Sequence, residues 1–311
     1  MLTEGLVIAF FVIAIQLALP ILLASLGELV SELAGVLNVG IEGAMLFGAF
    51  AAALFTVNAE NAGLATAAAV GAGLVCGVIL SFLYVRMGTD QIVTGFLFNV
   101  FAFGATGLLH SLYLAGQRGV TLRAIEIPVI SDIKWIGDVL SQQTVMLYLS
   151  LSVTVLVSLV MHRTWFGLYA RAAGERPLAV EAGGLDVWRL RYPAVIAGNV
   201  LAALGGAVLV LTTSGGFVPG MTAGRGFIAL GVVVLARWRP WWVVAAAFLF
   251  GWTQGLQFLA GRIEALSAVP GEVWLALPYI VTIVAVVFAA GSRYPAAVGL
   301  PYKRPSRARG S

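Results

Sequence analysis

Seven polar side chains interrupt long apolar runs, and these are the positions where chemistry could occur: Asn38, Glu42, Gln91, Asn99, Asn199, Gln254 and Gln257. In an apolar medium such a group either bonds to a neighbouring helix or lines a polar path. The first option is worth roughly 0.6–2 kcal/mol for an amide, so it stays open for each of them. Glu42 is the sharpest candidate, because an unpaired carboxylate in lipid costs several kcal/mol. It can hold the broken start of its helix, partner an arginine, or line a path. Asn38, Glu42, Asn99, Asn199 and Gln254 are therefore the predicted path or gate residues.

Bond-making chemistry finds few supports. The two lysines, Lys134 and Lys303, lie in no GxxxxGK[ST] loop, so the chain is not itself a P-loop ATPase. His110 and His162 stand 52 residues apart without an HExxH motif, and Cys76 is the only cysteine, so no zinc site and no internal disulfide is expected. Thr212-Thr213-Ser214-Gly215 lacks the first glycine of a GxSG nucleophile, and no DDxxD-type acidic pair is present. The chain is read as a non-enzyme that binds no metal or cofactor.

The elements that must position those polar groups follow from composition. Of 311 residues 60% are hydrophobic and 10% charged, with a mean hydropathy of +0.99. A soluble domain carries roughly 45–50% apolar and 25% charged residues; lipid is the main solvent here. The apolar runs are continuous, whereas a membrane β-barrel would alternate. The fold class is all-α, a polytopic membrane protein with about nine (eight to ten) spanning helices, some broken or half-length.

Spans of about 20 residues are predicted at Leu6–Ser25, Val39–Val57, Gly63–Val85, Ile92–Leu114, Val145–Met161, Ala194–Leu211, Trp241–Ala260 and Val273–Ala290. A ninth, Gly226–Ala236, is short, and the preceding Gly216–Arg225 contains Pro219 and three further glycines, so it reads as a half-helix with irregular backbone. Nine crossings place Arg86, Arg163, Arg171, Arg176, Arg189, Arg191, Arg237, Arg239, Arg293, Lys303, Arg304, Arg307 and Arg309 on one side, thirteen of the eighteen basic residues. Arg118, Arg123, Lys134, Arg225 and Arg262 remain opposite. The rich side is cytoplasmic by the positive-inside rule. The basic pI, near 9.5, thus reports orientation and no nucleic-acid partner is expected. The N-terminus lies outside, and no cleavable leader is evident because no basic stretch precedes the first apolar run.

Residues 1–292 read as one transmembrane domain with an external loop at 116–142, a cytoplasmic loop at 163–192 and a basic tail at 293–311 that is disordered or lies at the headgroups. A short surface helix is expected in the external loop. In the cytoplasmic loop Pro177 is a good helix-start residue, Gly183-Gly184 a stop, and Asp186 a cap for the next helix. A short rigid helix there has the form of a docking element, or of an ordinary connector. Trp238, Trp241 and Trp242 read as an interfacial belt. Interrupted, glycine-rich segments around Asn38–Glu42 and Gly215–Gly226 lie in opposite halves, which points to a transport path between them.

The stretch from Gly35 to Phe50, with Asn38, Gly40, Glu42, Gly43 and Gly48, resembles the signature of permease subunits of bacterial ABC importers for nucleosides and simple sugars. These belong to the superfamily that includes the ribose and branched-chain amino acid permeases. Asp90–Gly95 with Asn99, Gly167–Leu185, Gly224–Gly231, and Trp238–Pro240 with Phe250-Gly251 agree in order. The resemblance implies a heterodimer with a second related permease, two cytosolic ATPases that hold the ATP and magnesium, and an extracytoplasmic substrate-binding protein. It implies ATP-driven alternating access in a bacterial plasma membrane. It also assigns the coupling role to Gly174, Glu175, Arg176, Pro177, Ala179, Ala182 and Gly183. The alternatives are a permease for branched-chain amino acids or another small solute, and a stand-alone secondary transporter.

Overall fold

Residues 4–33 form one helix, α1 (Glu4–Leu33), which continues eight residues beyond the expected end of the first span. Hydropathy breaks at Glu28 and Glu32, yet both are fully buried and bonded by neighbouring segments, so the helix runs on. The computed structural model describes residues 4–125, 136–260, 269–288 and 293–302. At about 1.5 Å per residue α1 is about 45 Å long, well over the roughly 30 Å of a hydrocarbon core. From Ala18 to Leu33 every residue is buried, so α1 is a central pillar and not a lipid-facing span.

After the non-helical segment 34–40 come α2 (Ile41–Asn58), α3 (Ala62–Ser81) and α4 (Gln91–Tyr113). The Asn61 side chain accepts the Leu64 N–H at the start of α3. Wider π turns carry that helix on through Phe82–Met87, and Gly88, at φ +63°, ends it. Asp90 opens α4 by accepting the Ile92 and Val93 N–H groups, both at 2.9 Å. The loop after α4 holds the expected short helix, α5 (Ile136–Leu140), and an isolated antiparallel bridge pairs Ala124 with Thr144. Its Glu126, Asp132 and Lys134 lie outside the described residues.

Then follow α6 (Val145–Arg163), α7 (Trp165–Glu175), α8 (Pro177–Ala182) and α9 (Val187–Leu209), the last prolonged by π turns at Val210–Ser214. The chain closes with α10 (Arg225–Leu235), α11 (Pro240–Ala260) and α12 (Gly271–Phe288). The described residues are all-helical, with no strand. Six stretches among them are both long and apolar enough to cross a bilayer: Glu4–Leu33, Ile41–Asn58, Ala62–Met87, Gln91–Tyr113, Val145–Arg163 and Val187–Thr213.

Helix α1 packs along α9 and α11, and α9 packs in turn along α2 and α3. Between lipid-soluble helices there is little hydrophobic drive to associate, so close backbone approach must supply the attraction. The α1–α9 seam shows this, since a Cβ placed on Gly27 would sit 2.3 Å from the Gly198 carbonyl oxygen. Outward faces are apolar. Leu97, Phe101 and Leu108 on α4 and Ile280, Ile283 and Val287 on α12 are all exposed.

Candidate functional site

The break between α1 and α2 leaves backbone groups that no helix satisfies, a cost that lipid does not offset. Side chains from two helices supply the partners. Gln91 Oε1 accepts the Leu37 N–H at 2.7 Å, and Glu28 Oε1 accepts the Asn38 N–H at 2.9 Å. Asn99 works on both sides of the break, donating from Nδ2 to the Val39 carbonyl and accepting the Gly43 N–H at Oδ1, each at 2.8 Å. Asn38 is fully buried, and its side-chain amide has no hydrogen-bond partner among the described residues.

Glu42, expected at the broken start of its own helix, holds the start of another. Its Oε1 accepts the Thr222 hydroxyl at 2.6 Å and the Gly224 N–H at 2.9 Å, while Oε2 accepts the Gly226 N–H at 2.6 Å. The two N–H groups are ones that the start of α10 leaves unpaired. A carboxylate there also meets the positive end of the helix dipole. No ion pair to Glu42 is found among the described residues. Gly226 is glycine because a Cβ would lie 2.7 Å from both Glu42 Cα and its Oε2. Arg225 turns to the other flank, donating to the Met221 and Thr222 carbonyls and, from Nη2, to Gln254 Oε1 at 3.1 Å.

Helix α10 has 11 residues, so Glu42 stands about 16 Å from that helix's far end. The carboxylate is buried inside the bundle. Beside it opens a groove of about 360 Å³ between α2, α4 and the turn preceding α10, lined by Glu42, Phe96, Asn99, Phe103, Thr222 and Phe227 among others. Of the five predicted path residues, Glu42 and Asn99 meet here. Gln254, on α11, accepts from Arg225 at the start of α10. Asn199 is fully buried on α9 beside Gly73 and Gly77 of α3, and donates to the Val195 carbonyl of its own helix.

The model of the permease component of the branched-chain amino acid transport system matches residues 10–286. The chain belongs to that permease family. It is 31% identical over 302 residues to the guanosine ABC transporter permease NupQ of Bacillus subtilis, covering 93% of this chain and 95% of that one. It is 31% identical to the nucleoside ABC transporter permease NupC of Lactococcus lactis (91% and 93% covered), and 34% identical to TsgC13 of Haloferax volcanii, provisionally a glucose ABC transporter permease (81% and 77% covered). Bacillus subtilis and Lactococcus lactis each supply a second match, NupP at 25% and NupB at 24% identity. No solved structure matches.

The permease keeps a second structured region that also packs on the C-terminal end of α1. Thr164 Oγ1 accepts the Gly167 N–H to open α7, and Pro177 opens α8 at its first position. The predicted stop operates, with Gly184 at φ +84° and the Leu185 N–H bonded back to the Val180 carbonyl at 3.2 Å. Asp186 then caps α9 through the Trp188 and Arg189 N–H groups. Val180 is buried, whereas Glu175, Arg176, Ala179, Ala182 and Gly183 are exposed. Gly174 lies against the end of α1, where a Cβ would be 2.3 Å from the Leu33 carbonyl oxygen.

Two expectations for this region are corrected. Residues 293–302 are not a disordered tail. The Ala297 N–H donates to the Gly174 carbonyl at 2.8 Å, Arg191 Nη1 to the Leu300 carbonyl at 3.3 Å, and Tyr302 is buried against Val180 and Val187. The remainder, 303–311, lies outside the described residues. Trp238 is likewise no belt residue. It is buried, and its Nε1 donates to Glu32 Oε2 at 2.5 Å; Trp241 and Trp242 are exposed as a belt requires.

Glu28, Glu32, Arg191 and Thr222 were not singled out in the sequence, though each bonds a site segment. Arg191 is almost fully buried and donates from Nε to the Ala34 carbonyl at the end of α1. The one available signal was the spacing of Glu28 and Glu32, one helical turn apart directly after an apolar run.

Proposed function

We propose that this permease is the membrane-spanning subunit of an ATP-driven importer for nucleosides or a related simple sugar, with the groove beside Glu42 as part of the translocation path. The observation that carries the reading is the connection from an exposed short helix to that groove. Helix α8 presents Ala179 and Ala182 to solvent, while Gly174 beside it packs on the end of α1 and bonds residue 297. From α1, Glu28 holds the Asn38 segment and Glu32 holds Trp238 beyond α10, whose other end rests on Glu42. Displacing α8 therefore displaces both the interrupted segment and the half-helix that border the groove. In this reading α8 is the coupling helix, Gly174–Gly183 the contact to a cytosolic ATPase that holds ATP and magnesium, and alternating access the mechanism.

The partners in this reading are a second related permease, that ATPase and an extracytoplasmic binding protein. Paired matches in two organisms, NupQ with NupP and NupC with NupB, support the heterodimer. The nine-crossing topology adds α10, α11 and α12 to the six long apolar stretches and puts the basic-rich side in the cytosol of a bacterial plasma membrane. A cysteine at Ser141 should then react with an impermeant thiol reagent on whole cells, whereas one at Ser306 should react only after lysis. The native Cys76 is buried and gives little background. Equal labelling of both sites contradicts nine crossings.

The coupling role is tested by Ala182→Arg. The site lies outside every long apolar stretch, so insertion and Tm should be unchanged. A buried uncompensated charge in the docked state costs several kcal/mol. The variant should no longer co-purify with the ATPase or support ATP-driven uptake. Wild-type retention and transport would make the loop a plain connector.

A further inference from the structure

We propose that residues 293–302 are a strap that makes α8 and the far end of the half-helix α10 move as one body, with Arg191 and Tyr302 as its positioning residues. This rests on the transport reading above and adds a mechanical part to it. The strap makes three contacts in succession. First, the Tyr294 ring packs edge-on against Trp238, with centroids 4.7 Å apart. Trp238 closes the end of α10, since its N–H donates back to the Val233 carbonyl at 3.3 Å. Next, the Ala297 N–H donates to the Gly174 carbonyl at 2.8 Å, just before α8. Last, Tyr302 is buried with Ala173, Val180 and Val187, and Val180 is the one buried side chain of α8.

A tie transmits force only if it is stiff and its ends are fixed. Stiffness comes from Pro295 and Pro301, whose rings fix φ, and from the turns between them. The Val298 N–H bonds the Pro295 carbonyl at 3.0 Å and the Leu300 N–H the Ala297 carbonyl at 3.3 Å, with Gly299 at φ +76°. The fastening is Arg191, which is 1% exposed and forms no ion pair among the described residues. Burying an unpaired charge is costly, and a segment that merely covered apolar surface would need none. Its guanidinium joins two segments instead. Nε donates to the Ala34 carbonyl at the end of α1 at 3.1 Å and Nη1 to the Leu300 carbonyl at 3.3 Å, with the Tyr302 ring 5.8 Å away. A planar fork of donors holds both acceptors at a fixed angle, which the point charge of a lysine does not. Since Glu32 on α1 also holds Trp238, α1 and the strap are parallel ties between the α8 region and the end of α10. With both in place, α8 cannot shift without carrying the half-helix whose start rests on Glu42.

The test uses the assembled importer in vesicles, with second permease, ATPase and binding protein. ATPase retention, ATP hydrolysis and uptake of radiolabelled guanosine or glucose are measured together. The Tyr302 hydroxyl has no partner among the described residues, so Tyr302→Phe should match the wild type. Tyr302→Ala, Arg191→Lys and a Gly-Gly insertion between Ala296 and Ala297 should all keep the ATPase and hydrolyse ATP. Solute moved per ATP should fall about tenfold in each, within the usual range of coupling between two sites. The insertion keeps every named side chain and only slackens the strap, so it reads the proposal even where Tyr302→Ala folds poorly. A wild-type ratio of solute to ATP in the insertion variant, whatever the yield of complex, overturns the proposal and makes 293–302 a structural cover. Loss of the ATPase from that variant also overturns it, by making the strap a docking surface. A wild-type complex that holds no ATPase or accumulates neither solute overturns the transport reading instead, a failure common to every variant.

Discussion

Glu42→Leu permease is expected to lose most of its stably folded, detergent-extractable protein, and not merely its transport. The substitution fills similar space but removes the acceptor for the Thr222 hydroxyl and the Gly224 and Gly226 N–H groups. A buried donor left unpaired costs about 1–3 kcal/mol, so the total is about 3 kcal/mol or more. A helix of 11 residues has little else to fix its start, because short helices rely on tertiary contacts. At roughly 2–4 °C per kcal/mol for a chain of this size, Tm should fall by about 6 °C or more. Glu42→Gln keeps one carbonyl oxygen for Gly226 and turns an amide toward Thr222, whose hydroxyl can rotate to accept; it should lie between. Thermal unfolding followed by size-exclusion of the remaining monodisperse protein reads both variants. A Glu42→Leu protein with wild-type Tm would show that the carboxylate does not anchor α10.

The second large effect is expected where nothing polar is involved. In Gly27→Ala the added methyl would sit 2.3 Å from the Gly198 carbonyl oxygen and 3.1 Å from its carbon, all backbone atoms of α9. Backbone cannot rotate away as a side chain can, so α1 and α9 must separate by about an ångström. Forced overpacking costs about 1–3 kcal/mol even where side chains can adjust, and here one long seam loses contact. Gly27→Ala should therefore abolish stable expression or lower Tm by several degrees. Gly104→Ala on α4 has nothing within 4 Å of the new methyl and should be neutral or slightly stabilising, since alanine is the better helix former. Equal behaviour of the two variants would mean that the α1–α9 seam is not tight.

Much of this architecture is legible without coordinates because its determinants are local. A bilayer demands about 20 apolar residues per crossing, and the predicted spans from Val39 to Leu211 fall on the observed helices within a few residues, except for the early start of α9 at Val187. The α8 element is legible for a similar reason: Pro177, Gly183-Gly184 and Asp186 act on backbone only a few residues away. Glu42 is visible by type, as a carboxylate in an apolar run. Its partners are not, because Thr222, Gly224 and Gly226 lie 180 to 184 positions along the chain.

What the sequence alone determined is the solvent, the helical class, the half-length of α10 and the short capped helix. All follow from residue types within a turn or two. Tertiary structure alone decided that α1 continues through Glu28 and Glu32, since only burial against Asn38 and Trp238 makes those charges tolerable inside a helix. It decided that residues 293–302 fold against the bundle, because besides their own turns they bond to Gly174 and Arg191 far back in the chain. It also decided that Asn99 and Glu42 share a groove with three phenylalanines while Asn199 does not. Helical periodicity tells which residues share a face. Which neighbour that face meets depends on pairings between helices far apart in the chain, and those exist only once the backbones have closed on one another.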